Sequence, residues 1–358
     1  MIRFLQWIIT HTALVGLFPL VAFSMFNPTD DSKLLDLFYN GLKSGVACYR
    51  IPALVMALDG TLLAAADERI SSCADLGTNP NINIVLRRSS DGGMSWDAPV
   101  VVIDFEEGIS ASDPSFITDL QTGDVLLFYN YMDHLMEKGN YRFQYVRSTD
   151  SGKSWSRPID FTEQVMRAGW IKPFAFVTSG NGTQTRDGRL LHTITHVGEK
   201  SAYVIASTDH GKTWKLMDRP LMPGDESRVV ELTDGRLMVN SRVNGAGKRY
   251  IHTSADSGNT WVTEPADGLQ DPGCNAGLVD SGSRLYFSNL ASMKQRENLT
   301  LSWSLDNGKS WNDRLSIYEG SSAYSSLVMF ANGDLGLLFE RDDYSKISFT
   351  LIAKKRLK

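Results

Sequence analysis

The sequence predicts an all-β fold, a six-bladed β-propeller of four-stranded antiparallel blades. Three observations carry this. One eight-residue phrase, S-x-D-x-G-x-[ST]-W, is written five times: Ser89–Trp96, Ser148–Trp155, Ser207–Trp214, Ser254–Trp261 and Ser304–Trp311. Such self-similarity marks a repeat fold. Six tight turns flanked by apolar runs punctuate the chain, at Asp59-Gly60, Gly123-Asp124, Asp187-Gly188, Asp234-Gly235, Gly282-Ser283 and Gly333-Asp334. Between them the chain reads as short alternating strands with few helix-like stretches. Five of the turns are followed by a copy of the phrase, and the sixth lies close to the end of the sequence. Each unit is roughly 45–65 residues, near the length of a four-stranded blade. A pair of β-sandwiches would also be all-β, but the regular spacing favours the propeller.

The chain begins differently. Arg3 is the clear charge of the first 24 residues, and an apolar run from Ala13 to Phe23 is broken only by Gly16 and Pro19. Ala22-Phe23-Ser24 has the small-x-small form of a cleavage site. Residues 1–24 therefore read as a secretory signal peptide, with a single domain over 25–358, which implies a secreted or periplasmic protein. The run is short for a bilayer span and Pro19 interrupts it, so no stable membrane span is expected once the signal is removed. Leu35–Asn40 can supply the strand that the last, short unit lacks, closing a ring and removing an exposed sheet edge.

Of the 358 residues, 42% are hydrophobic and 22% charged, ordinary for a globular protein with a large core. The net charge of −5 suggests no nucleic-acid partner. A net-negative chain that binds an anion must gather its arginines locally. The three cysteines, Cys48, Cys73 and Cys274, fit no zinc spacing. An odd count leaves at least one thiol unpaired; one disulfide is possible in an oxidising compartment, and the sequence does not choose the pair. The six histidines show no metal-ligand pattern, and no cofactor is expected.

Each copy of the repeated phrase reads as a hairpin turn. Its Asp is expected to accept hydrogen bonds from backbone N–H groups two residues on, its Gly to allow positive φ, and its Trp to wedge against a neighbouring unit. These Asp residues read as turn staples with no catalytic role.

Chemistry first surfaces at Tyr49-Arg50-Ile51-Pro52. A two-residue loop at Asp59-Gly60 would set Arg50 opposite Arg69 on one face. Like charges directly opposite are destabilising, so the pair either splays into water, as surface arginines commonly do, or points at an anionic ligand. The same arithmetic around Asp234-Gly235 puts Glu226 opposite Val243 and Arg242 opposite Ser227, on different faces.

Tyr-Arg-Ile-Pro together with the repeated S-x-D-x-G-x-x-W resembles the sialidase (neuraminidase) superfamily, of the bacterial exo-sialidase type, from about residue 42 to about residue 353. The resemblance implies a six-bladed propeller that removes terminal α-linked sialic acid from glycans, with retention and without a metal. Glycoproteins, gangliosides and oligosaccharides carrying that sugar are the implied partners. Three arginines grip the substrate carboxylate in that family, and Arg50, Arg242 and Arg296 match them; planar guanidinium forks suit a carboxylate. Arg69 matches a fourth arginine, near the ring hydroxyls. Asp75 matches the acid/base catalyst on a mobile loop, a carboxyl that needs a raised pKa to donate a proton. Tyr324 matches the nucleophile and Glu226 its base. The anomeric carbon of sialic acid bears a carboxylate, which repels an anionic Asp or Glu, so a neutral Tyr deprotonated as it attacks avoids that repulsion. Glu340 matches the carboxylate that orients Arg50, and Asp113 an acid facing the amide side of the sugar. If the family pattern holds for Glu226 and Arg242, a bulge or a loop must bring them to one pocket. Apolar residues around Trp170-Ile171 are candidates for the N-acetyl pocket and equally for a core or rim role. A trans-sialidase, including an intramolecular one, would carry the same residues. A non-catalytic sialoglycan-binding propeller would lack Tyr324, Glu226 or Asp75, and a scaffold propeller would scatter the arginines.

Overall fold

The computed structural model describes residues 33–167, 170, 175–311 and 313–357. The expected signal peptide, residues 1–24, lies outside the described residues. The described chain is nearly all β, with one short helix, Thr162–Val165, and a 3-10 turn, Lys354–Arg356.

Sequence neighbours pair with one another. Cys48–Met56, Leu62–Arg69, Ile82–Ser89 and Val100–Ile103 form one antiparallel sheet. Ile109–Thr118, Val125–Asp133, Arg142–Ser148 and Ile159–Asp160 form the next, with Gly180–Asn181 added in parallel beside Ile109–Thr118. Leu190–His196 and Ser201–Ser207 centre a third, and Ser227–Glu231, Leu237–Ser241, Lys248–Ser254 and Val262–Gln270 form a fourth. The last sheet has seven strands. Its 17-residue strand Asp313–Met329 pairs with Glu297–Ser304 through its first half and with Leu335–Arg341 through its second. Leu35–Tyr39 pairs with Lys346–Ile352, so the two ends of the described chain share a sheet.

The repeated phrase folds alike each time, though not quite as expected. In the first copy the Asp91 carboxylate accepts from the Ser95 N–H (2.9 Å) and hydroxyl (2.5 Å), four residues on, while Ser89 Oγ accepts from Gly93 N (2.9 Å). The expected bond two residues on is replaced because the chain makes a wider loop that Ser89 and Asp91 fill jointly. The glycine lies close against the neighbouring sheet: a Cβ on Gly93 would fall 2.3 Å from the Phe349 ring, and one on Gly152 2.7 Å from Leu63. Trp96 meets Phe349 edge-on with ring centroids 5.2 Å apart. The core is accordingly a series of apolar layers between successive sheets, such as Leu63, Ala65, Phe116, Leu127 and Val146.

The turns correct two register expectations. Ala57 N donates to Thr61 O and Leu232 N to Arg236 O, so the loops hold three residues, 58–60 and 233–235. Gly60 and Gly235 take the left-handed position, with φ of 86° and 87°, as three-residue hairpins with a bulge require. Every partner moves by one. Arg242 N donates to Glu226 O, which sets Glu226 opposite Arg242 on one face. In the first sheet a bulge after Arg50 moves the register once more: Arg50 faces Asp67, and Cys48 faces Arg69. The two arginines share a face, diagonally rather than directly opposed.

Candidate active site

Bulges aim the side chains. The register slips between Arg50 and Ala53, between Ser112 and Ser115, between Glu297 and Leu299, and between Ser322 and Ser325. Ile51, Asp113 and Asn298 take positive φ (60°, 62° and 58°) at three of them. For a β-branched residue such as Ile51 this is strained backbone, of the kind that clusters at functional sites. All four slips lie beside residues singled out from sequence, and a bulge re-aims a side chain without breaking the sheet.

The residues converge on a cavity of about 420 Å³. Seven of the nine singled out line it: Arg50, Asp75, Asp113, Glu226, Arg242, Arg296 and Tyr324. Arg69 and Glu340 stand behind its wall, both buried. Trp170 does not line it and packs instead on His196 and Tyr203, with centroids 4.6 and 4.9 Å away; Ile171 lies outside the described residues. The apolar lining comes from Leu76, Phe176 and Val197, among others.

At the floor, the Tyr324 hydroxyl donates to Glu226 Oε2 (2.8 Å), and Arg242 Nη1 reaches both that oxygen (2.5 Å) and the phenol oxygen (3.2 Å). Burial holds the Tyr324 hydroxyl well above its ordinary range, and the Glu226 charge adds to this. The phenol is therefore protonated at rest. Burial also raises the Glu226 carboxyl, with Arg242 opposing. Beside them Arg296 lies over the Tyr324 ring at 5.6 Å and donates to Tyr344 Oη and Gly273 O.

Glu340 ties three strands together. One of its oxygens accepts from Arg50 Nε (2.7 Å) and Ile51 N (2.8 Å), and the other from Tyr324 N (3.1 Å). The Arg50 guanidinium lies over the Tyr344 ring, 4.1 Å from its centroid. Burial works against the Arg50 charge, and Glu340 more than offsets it. Three cationic groups, Arg50, Arg242 and Arg296, thus face one space.

A cluster of acidic side chains surrounds Arg69 beside Arg50. Arg69 donates to Asp67 (2.9 Å), to Cys73 O (2.8 Å) and to Asp75 (2.8 Å). Asp75 is 84% exposed at the mouth, and the Cys48–Cys73 disulfide anchors its loop; Cys274 is the buried free thiol. Asp67 accepts from Asp113 N (3.0 Å) and Ser112 Oγ (2.7 Å). Burial raises the Asp113 carboxyl well above its usual range, with Asp67 and Glu226 adding to it. Sequence reasoning passed over Asp67 and the lining residues Asp225 and Tyr344. Asp67 could have been found from its place two residues before Arg69, on the same face of a strand; Tyr344, in a turn, has no such signal.

Known proteins resemble this chain in sequence and in fold. The BNR repeat-like domain family matches residues 60–337. A sialidase of Micromonospora viridifaciens is 34% identical over 339 residues, 85% of this chain and 51% of that protein. A sialidase of Bacteroides fragilis is 32% identical over 330 residues, 82% of this chain and 60% of that one. The chain thus spans half to three-fifths of these curated relatives. Among solved structures, the Hadza microbial sialidase Hz136 superposes with a TM-score of 0.81 at 29% identity, over 90% of this chain and 68% of its own. The leech intramolecular trans-sialidase superposes with a TM-score of 0.78 at 19% identity, over 91% and 71%, a likeness of fold alone.

Proposed function

This chain belongs to the bacterial-type exo-sialidase family, and on that premise we propose that it is a retaining exo-α-sialidase releasing terminal α-linked sialic acid from glycoproteins, glycolipids and oligosaccharides. The observation that carries the reading is the joining of Tyr324, Glu226 and Arg242 by hydrogen bonds in a cavity that Arg50 and Arg296 also face.

Arg50, Arg242 and Arg296 grip the sugar carboxylate, and Glu340 holds Arg50 in place. The Tyr324 oxygen then attacks the anomeric carbon while Glu226 takes the phenol proton. The bond to the leaving oxygen breaks as Asp75 protonates it. The resulting tyrosyl sialoside is neutral at the phenol oxygen, so no new anion forms against the sugar carboxylate. Water, deprotonated by Asp75, attacks the same carbon in the second step; the Tyr324 oxygen leaves and recovers its proton from Glu226. Asp113, whose carboxyl burial raises, lines the same cavity and can donate a hydrogen bond to the sugar when protonated. Arg69 positions Asp75.

The sheets are read as six blades closing into a ring. The packing of Gly93 and Trp96 on Phe349, and the pairing of Leu35–Tyr39 with Lys346–Ile352, support closure of the first unit on the last. The disulfide supports export to an oxidising compartment, secreted or periplasmic. Among the described residues no helix is long and apolar enough to cross a membrane.

The test is an α-sialoside with a chromogenic leaving group, given with and without lactose. Free sialic acid supports hydrolysis. Sialyl-lactose, or an anhydro sugar formed within one molecule, replaces this reading with transfer. Binding without turnover replaces it with a sialoglycan-binding role.

A further inference from the structure

One buried cation takes no part in the steps above. Arg228 is 2% exposed and does not line the cavity. It lies two residues after Glu226, and its strand partner is Asn240, two residues before Arg242. Alternation along a strand puts Glu226, Arg228, Asn240 and Arg242 on one face. Arg228 therefore stands one step below the Glu226–Arg242 pair, about 7 Å along the strand.

Its charge is uncommitted. Nη1 donates to Ser227 O (3.3 Å), and Nε and Nη2 find no hydrogen-bond partner among the described residues. No carboxylate forms an ion pair with it there. Neighbouring Arg249 differs: it is paired with Asp271 (3.6 Å) and bonded to Asn240 and to Cys274 O. The guanidinium is fitted against the Gly180 backbone so closely that a Cβ there would lie 2.0 Å from Nη2. A buried, unpaired charge is expensive. Such violations of local consistency concentrate at functional sites.

We infer that Arg228 is a positioning residue for the Glu226–Tyr324 pair, a fixed cation behind the cavity wall that keeps Glu226 in the anionic form able to accept the phenol proton. The inference rests on the reading of Glu226 as the base. Its logic is charge competition. When a substrate carboxylate engages Arg242, Glu226 shares its nearest cation. Arg228 lies out of reach of the substrate, so its field on Glu226 is undiminished. The other charged or titratable groups acting on the Glu226–Tyr324 pair or on Arg228 from the packed elements are Arg296, Cys274, Arg249, Asp225, Asp113 and His192. Asp225 disfavours the Glu226 anion, which sharpens the need for a second cation. His192 is held neutral, since burial drops it to about 3.

The test is the pH profile of kcat/KM. Without Arg228 the Glu226 anion is less stable, so a higher pH is needed to form it. Arg228→Met should move the acid limb up by about one pH unit, leave the affinity for a sialic acid glycal on the plateau within about twofold, and be restored by Arg228→Lys. If Arg228→Met does not fold, Arg228→Gln serves the same measurement. A merely structural Arg228 would lower Tm and active fraction with the limb unmoved, and that outcome overturns the inference. Glu226→Gln separates the two levels. If it keeps full activity, the base assignment itself fails. If it is inactive while the Arg228 variants leave the limb in place, only the inference about Arg228 fails.

Discussion

The Tyr324 hydroxyl and the Glu226 carboxylate, 98 positions apart in sequence, share a hydrogen bond of 2.8 Å in a buried floor. A phenol in that setting is a poor nucleophile until its proton has somewhere to go, and Glu226 is the acceptor in contact with it. Most of the testable chemistry follows from this contact.

Tyr324→Phe removes the hydroxyl and leaves the ring under Arg296. Turnover should fall on the order of 10³-fold or more, while binding of a sialic acid glycal stays within a few-fold. Separate measurement of kcat and of glycal affinity checks it. Wild-type turnover in this variant would remove the nucleophile role.

Glu340→Ala leaves the half-buried Arg50 without its partner and frees the amides of Ile51 and Tyr324. Breaking a fully buried pair from one side costs about 3–5 kcal/mol; Arg50 keeps some access to solvent through the cavity, so denaturant unfolding should show a loss at or below the low end of that range. KM should rise as Arg50 loses its aim. An unchanged KM in a destabilised protein would mean that Arg50 is held by the Tyr344 ring rather than by Glu340.

Cys48 and Cys73 close a loop with a sequence separation of 25. Cys73→Ser should cost about 3 kcal/mol of stability. It should also lower kcat more than the affinity for a glycal, because Asp75 is two residues further along the released loop. Equal kcat in both forms would show that Arg69 alone is enough to place Asp75.

How much of this was legible beforehand depended on range. The turns at Asp59-Gly60 and Asp234-Gly235 were visible as punctuation, yet the hydrogen bonds from Ala57 to Thr61 and from Leu232 to Arg236 give each loop a third residue. That one residue reverses which side chains share a face. It brings Glu226 and Arg242 together where counting had kept them apart. The bulge at Ile51 is set by Glu340, 289 positions away, which captures the Ile51 amide; no local pattern announces it. The converging arginines came from motif resemblance. Asp67 and Tyr344 were missed because their importance lies only in what they touch.

Asp113 gives a prediction on stability rather than rate. Burial, with Asp67 and Glu226 nearby, raises its folded-state pKa above the unfolded value. A carboxyl raised in this way is no burden below its unfolded pKa, near 4. It costs stability progressively as pH climbs through the folded value, because the folded state must then hold a buried anion. Asp113→Asn removes that cost and keeps an oxygen that can accept from Asn130 Nδ2, which lies 3.1 Å from the native carboxylate. The variant should match the wild type in Tm near pH 4 and exceed it by a few degrees at pH 8, with the gap opening steadily between. A gap that is constant with pH would assign the difference to packing, and a gap that closes as pH rises would mean that the native carboxylate is stabilised as an anion.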